Sequence, residues 1–83
     1  MTELARSPKQ VGTIIRRARK HRGWNQTQLA DRAGLRQETI SLIETGHPAA
    51  KLETLLDIMA ALDLEFQVAP RSKGKANAIE DIF

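Results

Sequence analysis

The chain has 83 residues, a net charge of +3 and no cysteine. A chain of this length forms one small domain with a marginal core, and the lack of cysteine excludes disulfides and thiolate metal sites, so a partner subunit is the expected support. No apolar run approaches the roughly 18 residues of a membrane span and no signal-peptide pattern opens the chain, so we expect a cytoplasmic protein.

Basic side chains are concentrated in the first part of the chain. Residues 1–36 carry nine Lys or Arg and two acids, whereas residues 37–83 carry four Lys or Arg and eight acids. This asymmetry gives the molecule a positive side that suits a polyanion such as nucleic acid. An ordinary solvated helix face is the alternative.

The first predicted helix follows residues 1–6, which we expect to be a flexible N-terminus. Ser7 and Pro8 are typical of an N-cap and a first helical position, and Gln10 has the spacing of a capping box. Gly23 ends the helix. Its apolar stripe consists of Val11, Ile14, Ile15 and Ala18. Basic residues cover most of the remaining circumference: Arg16, Arg17, Arg19, Lys20 and Arg22. Four of them are expected to steer and contact phosphate: Arg16, Arg17, Arg19 and Lys20.

Two short helices are predicted next. Trp24 is expected to pack in the core against the first helix, and Asn25 caps a second helix over Gln26–Ala33. Gly34 ends that helix, and a tight turn leads to a third helix over about Gln37–Glu44.

The second and third helices together have the form of a helix-turn-helix unit. Ile40 and Ile43 lie on the inward side of the third helix, whereas Gln37, Thr39 and Ser41 lie in front. Because the major groove admits an α-helix, such a polar front can reach base edges while the preceding helix directs its N-terminal N–H groups at phosphate.

A fourth helix over about residues 52–62 has one predicted apolar face: Leu52, Leu55, Leu56, Met59 and Leu62.

Leu64, Phe66 and Val68 then alternate with polar residues, which predicts a half-buried strand. A lone strand leaves its hydrogen-bonding groups unpaired, so we predict antiparallel pairing with the same strand of a second copy across a two-fold axis. The alternative is an extended tail on its own domain.

These elements predict a mostly α fold: a four- to five-helix repressor-like helix-turn-helix domain with one C-terminal β-strand that pairs across a homodimer. The DNA-binding and dimerisation domain is expected to span residues 7–70. Residues 71–83 are expected to form a flexible C-terminal tail.

Three segments, residues 23–30, 34–41 and 43–46, resemble the phage-repressor-like (XRE, Cro-type) helix-turn-helix family, and the similarity runs from about Ser7 to Leu64. The helix start at Ser7 and the strand after the fourth helix are similar to HipB-type antitoxins in particular. This resemblance implies a DNA-binding transcriptional repressor that is a homodimer on a palindromic operator. It also implies an antitoxin that binds a HipA-type kinase toxin and autoregulates its operon.

The resemblance implies roles for single residues. Base readout is assigned to Arg36, Gln37, Thr39 and Ser41. Phosphate contact is assigned to Gln26, Thr27, Arg16 and Arg17, with Gln26 also orienting Gln37. Glu38 departs from the pattern and either accepts from cytosine N4 or faces solvent. The toxin-binding tail comprises Ile79, Ile82 and Phe83, unless that tail folds back on its own core.

Catalysis is not expected. His21 and His47 are the only candidate bases near neutral pH, and neither has a nucleophile beside it. Metal-ligand spacing and a glycine-rich phosphate loop are also missing, so we expect no enzyme, metal or cofactor. A stand-alone repressor without a toxin and a protein–protein adaptor without DNA binding remain as alternatives. A gel shift and the identity of the downstream gene distinguish them.

Overall fold

The computed structural model describes residues 3–71 of the chain. Within that range it has four α-helices: α1 (Pro8–His21), α2 (Gln26–Ala33), α3 (Gln37–Glu44) and α4 (Leu52–Ala61). The predicted helical class is confirmed. The predicted toxin-binding residues Ile79, Ile82 and Phe83 lie outside the described residues.

Side-chain caps fix where α1 and α2 begin. The Ser7 hydroxyl accepts from the Gln10 backbone N–H at 3.1 Å, but the Gln10 side chain accepts from Arg6 rather than from Ser7, so the predicted capping box is only half formed. At α2 the box is complete, because Asn25 and Gln28 each accept the other's backbone N–H at 2.8 Å. The capping box therefore fixes Asn25 as the residue at which α2 begins.

The core lies where the four helices meet. Each helix contributes at least one buried aliphatic side chain, and α3 packs against both α1 and α2. The fully buried side chains are Ile15, Leu29, Ile40, Ile58 and Leu62. The back of α3 is thus anchored on two helices at once.

One close approach holds α3 against α1. Gly12 is buried, and a Cβ built on it would lie 2.8 Å from the Glu44 carbonyl oxygen and closer still to that of Ile43. Glycine is required here because any side chain would force the two helices apart.

The predicted apolar face of α4 is partly wrong. Met59 and Leu62 are buried and Leu55 packs partly against the core, but Leu52 is 66% exposed and Leu56 48% exposed. Because apolar residues surround most of α4, hydrophobicity alone did not define which side packs on α2. Leu62 follows the last helical residue as the C-cap.

Residues 64–71 do not form the predicted strand in the single chain. A strand needs a partner for its ladder of N–H and C=O groups, and no segment within residues 3–71 forms a strand or bridge with it. Leu64, Phe66 and Val68 are all exposed. Pairing across a dimer stays a prediction.

No helix in the described part of the chain is long and apolar enough to cross a membrane.

Candidate nucleic-acid interface

The third helix presents a polar front with an apolar back. Ile40 and Ile43 are buried against the other helices, while Gln37 is exposed and Thr39 and Ser41 are half-buried. Since the apolar side of α3 is anchored on α1 and α2, its polar side has a fixed position relative to these two helices.

A chain of hydrogen bonds runs from the core to this front. The Gln37 amide nitrogen donates to the Gln26 carbonyl oxygen at 2.6 Å, and the Gln26 amide nitrogen donates to Glu44 Oε1 at 3.3 Å. Glu44 in turn accepts from Arg19, with 2.7 Å from Nε to Oε2 and 2.9 Å from Nη2 to Oε1. Four side chains thereby connect α1, α2 and α3.

The chemistry of Glu44 determines which group donates and which accepts in this chain of hydrogen bonds. Its carboxylate, engaged at both oxygens by a guanidinium, can only accept, so Gln26 must turn its NH₂ group towards Glu44 and its carbonyl oxygen towards Gln37. Gln37 then donates one N–H to Gln26 and keeps a second N–H and its carbonyl oxygen. Those two free groups match the N7 acceptor and the N6 donor of adenine.

Arg19 is not an exposed cation of α1, contrary to the prediction that grouped it with the residues that steer and contact phosphate. It is only 8% exposed, and besides Glu44 its Nη1 donates to the Trp24 carbonyl oxygen at 2.8 Å. The hydrogen bond with Glu44 raises the pKa of Arg19 above its usual value although burial opposes this, so the guanidinium stays charged at every ordinary pH. Its position one helical turn after buried Ile15 is the signal that sequence reasoning missed.

Trp24 covers an edge of the core, as a half-buried residue packed against it. The guanidinium carbons of Arg32 and Arg22 lie 4.3 Å and 5.2 Å from its ring centroid, within the range of cation–π contact. Arg22 also donates to the Leu62 carbonyl oxygen at 3.0 Å, at the end of α4. Arg22 is therefore tied to the fold as well as exposed.

Four other predicted phosphate and base contacts are exposed and form no hydrogen bond, within the described residues, to the members of the hydrogen-bonded chain: Arg16, Arg17, Thr27 and Arg36. Arg16 and Arg17 lie on α1, and Arg17 Nη1 is 3.6 Å from Glu3 Oε1. Thr27 lies in the first turn of α2, and Arg36 is the N-cap of α3 without a side-chain capping bond. The starts of α2 and α3 thus hold most of the predicted contacts, whereas the α1 arginines form a separate group.

A helix-turn-helix family model matches residues 15–68. Antitoxin HipB of Escherichia coli O6:H1 is 30% identical over 74 residues, covering 89% of this chain and 79% of that protein. The chain belongs to the HipB-type helix-turn-helix family. A solved "HipB-O4 20mer complex" has 29% identity and a TM-score of 0.76, covering 82% of this chain and 96% of that one. A solved "HipA-HipB-O2-O3 complex" has 29% identity and a TM-score of 0.75 with the same coverage.

Replacing Arg19 by Met should lower the free energy of unfolding by about 3 to 5 kcal/mol, because it leaves the buried Glu44 carboxylate without its cation. Arg17→Met is the matched control. It removes an exposed cation of the same helix whose ion pair is long and solvated, so the change should stay within about 0.5 kcal/mol. Urea denaturation measures both, and equal stabilities of the two variants would contradict the structural role of Arg19.

Proposed function

We propose that the chain is a dimeric, sequence-specific DNA-binding repressor and the antitoxin of a HipA-type kinase module. The observation that carries the DNA-binding part is the exposed Gln37, held by Gln26 at the start of a helix whose back is buried. This geometry supports insertion of α3 into the major groove.

Base readout in this proposal begins with Gln37, whose free N–H and carbonyl oxygen make a bidentate pair with adenine. Arg36, exposed at the N-cap of α3, reaches guanine O6 and N7 or a phosphate. Thr39 and Ser41 follow along the helix and contact a base, a thymine methyl or a phosphate. The exposed Glu38 either accepts from cytosine N4 or faces solvent.

Phosphate contacts position the domain on the duplex without reading sequence. Gln26 and Thr27 lie in the first turn of α2, where backbone N–H groups favour an anion. Arg16 and Arg17 supply exposed positive charge from α1. Their side chains support attraction to the DNA backbone, which is the larger part of non-specific affinity.

Replacing Gln37 by Ala should weaken binding to the preferred duplex by about 5- to 150-fold, the value of one bidentate pair, and relax the choice of base at one position of each half-site. Affinity for a scrambled duplex should not change, because phosphate contacts remain. Gln10→Ala removes another exposed glutamine, at the start of α1, and serves as control. Selection from a random duplex pool, followed by fluorescence anisotropy, measures this. A wild-type chain that selects no preferred sequence would contradict the function.

The dimer in this proposal uses the extended segment after α4. Leu64, Phe66 and Val68 are exposed there, and Leu52 and Leu56 are exposed on α4. A second copy that pairs through this segment would satisfy its backbone and bury this apolar surface. Two-fold symmetry then implies a palindromic operator with half-sites about one helical turn, or a multiple of it, apart.

Replacing Phe66 by Glu should convert the dimer to monomer, because it puts an unpaired charge into the proposed interface. Gln67→Glu, on the alternate side of the same segment, adds the same charge and should leave the dimer intact. Sedimentation equilibrium gives the masses of both variants. A wild-type chain that sediments as a monomer, or two variants that behave alike, would rule out pairing through this segment.

The antitoxin part of the proposal is supported by similarity to HipB, one solved structure of which is a HipA-HipB-O2-O3 complex. We expect the chain to co-purify with a HipA-type kinase encoded beside it, and truncation before residue 76 to weaken that contact while leaving DNA affinity unchanged. A chain that binds DNA without retaining the kinase is a stand-alone repressor. A chain that retains the kinase but binds no DNA is an adaptor.

A further inference from the structure

Leu42 is a large apolar side chain on the outer side of α3. It belongs neither to the core nor to the hydrogen-bonded chain of Arg19, Glu44, Gln26 and Gln37. It is 52% exposed, although its neighbour Ile43 is buried and Ile40 lies fully in the core. Exposing a leucine on a helix that is otherwise polar in front loses apolar burial unless a ligand covers it.

Helix geometry places Leu42 on the outward half of α3, to one side of its centre. Each residue advances about 100° around an α-helix, so the direction opposite Ile40 and Ile43 falls close to Glu38, and Leu42 lies about 40° to one side of Glu38. Leu42 is one turn beyond Glu38, about 6 Å further along the axis. A groove that receives the outward half of α3 would therefore meet Leu42 along one side of the helix.

The surroundings of Leu42 favour a polyanion over an apolar protein surface. A shallow depression beside it, between α3 and α4, is also lined by the exposed Lys51. Arg36 is exposed at the other end of α3. Cationic side chains beside Leu42 and at the start of α3, Lys51 and Arg36, suit two phosphate backbones that flank a groove.

We propose that Leu42 packs against the C5-methyl group of a thymine in the major groove and so selects thymine at one base pair of each half-site. This inference rests on the proposed DNA-binding function. The thymine methyl is the apolar group that base pairs present in the major groove, where the other recognition groups are hydrogen-bond donors and acceptors. Leucine cannot hydrogen-bond, so shape and apolar contact are the properties it can read.

The test uses the full chain and its selected duplex, in which each thymine is replaced singly by deoxyuridine. This replacement removes only the methyl group and leaves every hydrogen-bonding group in place. For the wild-type chain, affinity should fall about fourfold at one thymine of each half-site, the factor expected for losing one buried CH₂-sized group. Leu42→Ala should bind the thymine and deoxyuridine duplexes equally at that position.

Leu4→Ala, which removes another exposed leucine, should keep the wild-type sensitivity to deoxyuridine. Leu42→Ala replaces an exposed residue by a better helix former, so the variant folds, and circular dichroism checks it. Specific binding without any thymine whose methyl effect depends on Leu42 would overturn this inference and leave the proposed function standing. A chain that selects no duplex overturns both.

Discussion

The buried ion pair between Arg19 and Glu44 is the interaction on which the rest of the structure depends. It joins α1 to α3 with two short hydrogen bonds, and its carboxylate also receives the amide of Gln26. Buried ion pairs are often no more stabilising than apolar packing of the same volume, so stability alone gives little reason for one here. This pair instead fixes the orientation of two side-chain amides. Because Glu44 can only accept, it determines which way the amides of Gln26 and Gln37 are turned.

The small core accounts for the apolar surface left outside. The core contains residues from all four helices, yet Leu52, Leu56 and Phe66 remain exposed. A domain of this size buries a smaller share of its surface than a larger one and commonly obtains further burial from association. In the proposed dimer, the surface that completes folding also sets the spacing of the two α3 helices, so stability and operator geometry would depend on the same contact.

The helices could be predicted from sequence because their signals are local. Asn25 and Gly34 bracket α2 by side-chain capping and by a left-handed backbone, and neither depends on distant residues. Arg19 could not be identified from charge, because its burial depends on the position of Glu44, 25 residues later. The packing side of α4 was ambiguous because apolar residues cover it on several sides. A strand after α4 requires a second chain, and a single sequence supplies only one half of that pair.

The hydrogen bond between Gln37 and Gln26 lowers the entropy cost of binding a partner. A free glutamine side chain loses up to about 2 kcal/mol of rotamer entropy when it is immobilised. In this protein that loss accompanies folding, since the 2.6 Å bond already holds Gln37 without any ligand. Pre-organisation of this kind leaves more of the interaction energy for affinity. It also disfavours binding to a surface that does not match Gln37. To change its rotamer, Gln37 would first have to break its hydrogen bond with Gln26.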